Sequence, residues 1–479
     1  MRSAEGLDTL PDDPVLAGSG SAAWSNLNRR FLAAAAEDPR LRQRRAFEHV
    51  HANNCFPIYP FQSWPTFLDR QAVAGIERIA VGMGRLLKGI PARLLDNDAG
   101  RIARFYGIES IDLVRMAMEE PNGIEAAPAR CDFIHTSDGL RCLEFNCGSY
   151  LGGWYTQALA PFFLSCPPIA RFLTEEGVKA HHRNTVGILF RHLIADTLRR
   201  GIWSGGDFNL AIVIHPQDPA RVAQHQPELY RGELRRVFDE HTPRLDGRVF
   251  LCGYGDLTER AGGLYRGGDR VHVVLEQQRS LTERFVYRSF KAGRVNLFTG
   301  PVTQVLSDKK GLALLSEHAE SDAFSAEERE LLARHLPWTR LVAAGQQVNF
   351  RGDRLPVDDL LLRLQDDLVL KYSRSMAGKD VFVGRFLAPA EWQAVTRRAL
   401  SEPGWIVQEY VASLAYTYQE GEEGVAAHDV VWGPWDFGGR YAGSFLRIQP
   451  RSVGGVINVG QQAQVGIVLE IDEERGGAV

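Results

Sequence analysis

Two short stretches set acids and an amide at two-residue spacing. Arg130 and Asp132 lie two apart in ARCDFIHT, and Glu144 and Asn146 two apart in GLRCLEFNC, with Ser137-Asp138-Gly139 as the turn between them. Side chains two apart on a strand share a face, so each pair points one way. A turn centred on Asp138 sets Asp132 opposite Glu144 and Arg130 opposite Asn146. Opposed carboxylates about 4.5–5.5 Å apart at Cβ repel unless a cation lies between them. Two acids and an amide oxygen are hard donors that suit Mg²⁺, which keeps some waters and completes its shell with phosphate oxygens. The same residues also suit a surface hairpin whose acids pair with Arg130 and water. Interleaved Phe133, Ile134, Leu143 and Phe145 favour a hairpin that packs on one side and presents its acids to a cleft on the other.

Other segments carry groups suited to phosphate. Lys371 ends the apolar run LVLK and is followed by SRSMAGKD, a small loop containing Ser373 and Gly378, before a second strand, VFVG. Such a loop aims backbone N–H groups at phosphates while the lysine supplies a point charge; a plain turn with a solvated lysine fits the same pattern. PVTQVLSDKKGLALLSEH reads as a loop ending at Ser307-Asp308 that caps a helix, with Lys309 and Lys310 in its first turn. Cations are poorly placed at a helix N-terminus unless an anion binds there. WIVQEYV is an apolar strand interrupted by Gln408 and Glu409; extended backbone there can read an adenine edge by its own N–H and C=O. Arg447 sits in a strand bounded by glycine-rich turns, with Arg440 and Arg451 nearby; an arginine held there can brace negative charge developing on a transferred phosphoryl or a tetrahedral oxyanion, and spacing alone does not decide which of the three does so. A Walker-type loop is excluded, because Gly378-Lys379 is followed by Asp380, and VGMGRLLKG lacks the third glycine of GxGxxG.

Stepping outward, these groups need helices and strands to hold them. Residues 24–108 carry apolar residues at three- and four-residue spacing, which predicts helices. Residues 185–280 alternate strand-like runs (LAIVIH, RVFLCGY, VHVVLE) with helical ones, as an α/β unit does. The chain divides into an arm over 1–22, a helical region with the acidic hairpin over 23–184, the α/β unit over 185–280, nucleotide-binding lobes over 281–471 and a tail over 472–479. With 479 residues, about three structural units are expected. Apolar residues at 44% and charged residues at 24% describe a globular protein. A net charge of −4 from 55 basic and 59 acidic residues gives no overall attraction to nucleic acid or anionic membrane. Six cysteines without a CxxC pair argue against a disulfide framework or structural zinc. No apolar run approaches the ~20 residues of a membrane span, so a cytoplasmic location is expected.

Taken in order, the motifs resemble the circularly permuted ATP-grasp family, in particular the synthetase domain of glutathionylspermidine synthase and its relatives. That pattern has R-x-D, then E-x-N twelve residues after the Asp, S-N-K before a helix, a strand lysine with a glycine loop, and a late G-x-x-x-R. Here these are Arg130-Cys131-Asp132, Glu144-Phe145-Asn146, Ser307-Asp308-Lys309, Lys371 with Gly378, and Gly443 to Arg447, over about residues 55 to 460. Asp308 departs from the family's Asn. The resemblance implies an α/β (α+β) ATP-grasp fold with a nucleotide cleft between two lobes. It implies a carboxylate–amine ligase that uses ATP and Mg²⁺ and works through an acyl phosphate on a small-molecule or peptide carboxylate and an amine. Asp132, Glu144 and Asn146 would hold Mg²⁺; Arg130, Lys309, Lys371, Ser373 and Gly378 would meet the phosphates; Gln408, Glu409 and Tyr410 would line the adenine side; and Arg447 would steady the transition state, with Arg130 beside it. A small-molecule kinase on the same scaffold and a non-catalytic nucleotide-binding protein remain alternatives.

Overall fold

A computed structural model describes residues 19–49, 60–119, 124, 127–214, 226–277, 283–298, 301–375, 378–458 and 463–472. Most of the arm expected over 1–22 and of the tail expected over 472–479 lies outside those residues. At the inner end of the arm, the Ser19 hydroxyl accepts from Thr417 N at 3.0 Å and the Gly20 N–H donates to Ala415 O. Among the described residues, no helix is long and apolar enough to cross a membrane.

The helix Arg70–Lys88 shows how the N-terminal region folds. Asp69 accepts from Ala72 N at 2.8 Å and starts it, while Ile76, Ala80, Met83 and Leu87 recur at four, three and four residues and are all buried. Its last residue, Lys88, reaches Asp436 at 2.9 Å, and both side chains are buried.

Residues 210–298 form a parallel sheet in the order Asn296–Phe298, Val273–Glu276, Leu210–Val213, Val249–Cys252. Leu210, Ile212, Val273 and Leu275 turn into the main core beneath the helices Thr185–Arg199 and Pro227–Glu240. Ala211, Val213 and Val274 face a smaller core with Val286 and Phe290 of the helix Arg284–Lys291. Burial on both faces explains the unbroken apolar runs that marked this unit in the sequence.

The largest sheet is antiparallel and joins distant parts of the chain, in the order Gln464–Gly466, Tyr441–Pro450, Gly424–Asp436, Ala129–Thr136, Gly139–Cys147, with Tyr416–Glu420 paired to the other end of Gly424–Asp436. Its back face, including Cys131, Phe133, Trp432 and Leu446, packs into the main core. The front face faces a second, four-stranded antiparallel sheet ordered Thr339–Leu341, Trp405–Glu409, Leu368–Tyr372, Val381–Val383. That sheet has its own core: Leu368, Leu370, Trp405 and Val407 point back onto Trp392 and Leu360. Strand alternation therefore sends Val369, Lys371 and Gln408 to the front, toward the large sheet.

In the acidic hairpin, Arg130 pairs with Asn146 and Asp132 with Glu144, as the spacing predicts. The turn itself is tighter than one centred on Asp138: Thr136 pairs with Gly139, and a β-bulge at Leu143 restores the offset, since Phe133 pairs with Cys142. One further expectation is corrected. Residues 301–306, read as a loop, form the helix Pro301–Leu306, followed at Lys310–Glu317 by the helix that Lys309 precedes. Pro301 fits the first turn of a helix, where its missing N–H costs nothing.

Candidate active site

The front faces of the two antiparallel sheets line one cleft. Asp132, Glu144, Lys309, Lys371, Gly378, Gln408, Glu409, Tyr410 and Arg447 all line it. Nine residues singled out from scattered stretches of sequence thus meet in one place. Arg130 and Asn146 stand directly behind Asp132, whereas Ser373 is buried below the loop and contributes backbone: its carbonyl accepts from Lys309 N at 3.1 Å.

Asp132 is the most heavily contacted acid. Arg130 Nε lies 2.9 Å from one oxygen; Arg447 Nη2 at 2.8 Å and Asn146 Nδ2 at 3.0 Å reach the other. Burial alone would raise its pKa, but the two guanidinium groups hold the carboxyl below the usual range. Arg447 reaches it across the strand Gly424–Asp436, where Gly433 leaves room for the Arg130–Asp132 pair. A Cβ there would come within 2.9 Å of Arg130 Cδ and 3.3 Å of an Asp132 oxygen. Arg447 Nε is buried without a hydrogen-bond partner among the described residues, a donor available to a ligand. Arg130 also donates to Gly152 O at 3.1 Å, which ties the hairpin to the glycine-rich loop that follows it.

Glu144 pairs with Lys309 at 3.0 Å. Lys309 also donates to Ser375 O at 2.6 Å, and Ser307 docks on the end of the hairpin, its hydroxyl accepting from Cys147 N at 2.8 Å. Lys310, paired with Lys309 in the sequence reading, points the other way and donates to Phe105 O and Tyr106 O at 3.1 and 3.0 Å. Lys371 donates to the carbonyl of the bulged Leu143 at 3.0 Å and to Gln408 Oε1 at 2.6 Å. Burial pushes the Lys371 ammonium down to about 8; Glu144 opposes that shift and Lys309 adds to it.

Gln408 therefore orients Lys371, while its own Nε2 donates to Thr339 Oγ1 at 3.1 Å. The Glu409 side chain accepts from Arg351 at 2.9 Å, and Arg385 stacks 3.9 Å from the Tyr410 ring centre. The N–H groups of Glu409 and Tyr410 already donate to Trp338 O and Asp367 O. Val411 follows them on the cleft wall and was not singled out in the sequence, where nothing sets it apart from other strand valines. Gly433 had a signal: a glycine inside a strand marks a close approach.

Charge decides what fits. Arg130, Lys309, Lys371 and Arg447 give +4 and Asp132 and Glu144 give −2, leaving +2 once Glu409 is met by Arg351. A bare divalent cation is repelled by that balance. A nucleoside triphosphate carrying one divalent cation, with a charge of about −2 near neutral pH, matches it. Among the described residues no three His, Cys, Asp or Glu side chains gather as a metal cluster. Glu144, Asp132 and the Asn146 amide are nevertheless the hard-donor set expected for Mg²⁺ that arrives with phosphate oxygens.

No family model and no curated protein matches the chain. Among solved structures it is similar to a glutathione synthetase-like effector from Globodera pallida in its apo form, with a TM-score of 0.54, 13% identity, and coverage of 90% of this chain and 97% of that one. The fold is glutathione synthetase-like. At that identity the likeness concerns the fold alone, and the mixed α/β architecture expected from the sequence agrees with it.

Proposed function

We propose that the protein is an ATP- and Mg²⁺-dependent carboxylate–amine ligase of the ATP-grasp type, circularly permuted, that joins a small-molecule or peptide carboxylate to an amine. One observation carries this reading: Asp132, Glu144, Lys309, Lys371 and Arg447, from four separate segments, face one cleft, and with Arg130 beside Asp132 the balance is +2. The permuted order is supported by the acidic hairpin, which precedes the Lys371 lobe in sequence yet pairs with the strand Gly424–Asp436 that follows it.

Bound Mg·ATP would supply a phosphoryl group that activates the carboxylate as an acyl phosphate. Lys309 and Lys371 bind phosphate oxygens, and their backbone anchors at Ser375 and Leu143 fix where those charges sit. Glu144, Asp132 and Asn146 hold the cation. Arg447, locked by Asp132 and with its Nε unengaged, stabilises charge on the transferred group. Ile134, Val369, Val381, Val383 and Val431 wall the cleft and exclude water that would otherwise hydrolyse the activated acid. Because phosphoryl transfer asks mainly for positioning and charge neutralisation, these groups suffice without a protein nucleophile.

The test is mass spectrometry of products formed from ATP with pooled acids, peptides and amines. ADP, free phosphate and a condensed amide support the ligase. A stable phosphorylated product without an amide would favour a kinase instead, and ATP binding without turnover across the pools would favour a non-catalytic protein. A cytoplasmic location belongs to the same proposal.

A further inference from the structure

Arg374, which the sequence reading did not assign, ties the loop after Lys371 to the opposite side of the cleft. Its Nη2 donates to Tyr106 O at 2.6 Å and Gly107 O at 2.9 Å, and its Nε lies 3.3 Å from Asp308 Oδ2. Tyr106 and Gly107 close the helix Ala99–Tyr106, whose end is turned by Gly107 at φ 66°. Carbonyls at a helix C-terminus are unpaired and carry partial negative charge, so a guanidinium is well placed there. Lys310 donates to Phe105 O and Tyr106 O in the same cap.

Asp308 completes the link. Its side chain is buried; one oxygen accepts from Lys310 N at 2.9 Å and the other faces Arg374. A buried carboxylate is costly unless a cation meets it. Arg374 is the guanidinium that meets the second oxygen, at 3.3 Å. Arg374 lies between Ser373, whose carbonyl accepts from Lys309 N, and Ser375, whose carbonyl accepts from Lys309 Nζ. Fixing residue 374 thus fixes both backbone anchors of Lys309, three residues along from Lys371.

We propose that Arg374, through Asp308 and the C-terminal carbonyls of the helix Ala99–Tyr106, is a positioning residue that presets Lys309 and Lys371 for a triphosphate. The inference rests on the ATP-using reading of the cleft. It concerns the phosphates and not the base, which separates it from a general structural role.

Calorimetric titration of the full chain with Mg·ATP and, separately, with adenosine tests it. Arg374→Ala is expected to weaken Mg·ATP by about 10- to 100-fold, the loss typical of a hydrogen bond to a charged group, and to leave adenosine unchanged. Arg374→Lys is expected to restore part of the loss, and Asp308→Asn to fall between wild type and Arg374→Ala. Mg·ATP binding equal to wild type in Arg374→Ala, or equal losses for Mg·ATP and adenosine, would overturn the proposal. If wild type itself fails to bind Mg·ATP, the ATP-using reading fails. The positioning role is then judged by amide exchange at residues 371–375 of the unliganded protein: faster exchange in Arg374→Ala supports it and unchanged exchange overturns it.

Discussion

Arg447 Nη2 sits 2.8 Å from Asp132 Oδ2, bridging two strands that are separated in the sheet by a third. The contact makes each residue depend on the other: the arginine is aimed by the acid, and the acid stays ionised because of the arginine. Arg447→Ala is expected to lower kcat by about 10²–10³, the cost of losing one preorganised donor to a transition-state charge. Steady-state assay of ADP release would show it. Arg447→Ala with near-normal kcat would remove the arginine from the chemistry.

Glu144→Gln keeps the shape of the hairpin but removes the partner of Lys309 and, on the proposed function, a ligand of the cation. Its expected signature is a steep rise in the Mg²⁺ concentration needed for half-maximal ATP binding, of about 10- to 100-fold for a lost charge-assisted contact. Titration of Mg²⁺ at fixed ATP measures this directly, and an unchanged midpoint would assign the metal elsewhere.

Lys371 gives a pH dependence with a definite sign. Its folded pKa of about 8 lies below its ordinary value of 10.5. Between those two values the unfolded chain holds a proton that the folded chain has released, so this residue makes stability rise with pH across that window. Phosphate binding follows the opposite course, because the ammonium that meets the triphosphate is lost above pH 8. Mg·ATP affinity is therefore expected to fall from pH 7.5 to 9.5 in wild type and to be weaker and flatter in Lys371→Met, as read by calorimetry across that range.

Gly433→Ala places a methyl within 2.9 Å of Arg130 Cδ. Moving Arg130 and Asp132 aside costs about 1–3 kcal/mol of packing strain. Activity is expected to drop while the circular dichroism spectrum stays native; unchanged activity would show that the Arg130–Asp132 pair tolerates displacement.

Lys88→Met tests the packing of the helix Arg70–Lys88 on the large sheet. It strands the buried Asp436 carboxylate without its ammonium, and the expected loss is about 3–5 kcal/mol of unfolding free energy in a denaturant titration.

Particular residues show what the sequence could reveal. Asp132, Glu144 and Asn146 were legible because strand alternation and a short turn are local rules, and the pairing they predict is observed. Lys309 and Lys371 were legible by residue type and order. The parallel unit was legible because a sheet covered on both faces needs apolar runs. The split between Lys309 and Lys310 was not, since both are lysines in one helical turn and only the tertiary position of the Ala99–Tyr106 helix separates their tasks. Gln408 was placed on the correct strand, but its hold on Lys371 depends on a neighbouring strand 37 residues away. Arg374 gave no local signal at all, because its partners lie 66 and 268 residues distant.

The bulge at Leu143 has a consequence for how this protein can vary. Leu140 and Cys142 face the core, and Glu144 and Asn146 share their even numbering, so an uninterrupted strand would bury both polar groups in the hydrophobic interior. The extra residue swaps the two faces halfway along. Substitution of Leu143 changes a patch of cleft wall, whereas its excision would invert the rest of the strand, turning Phe145 toward the cleft and Glu144 and Asn146 toward Trp432 and Phe133.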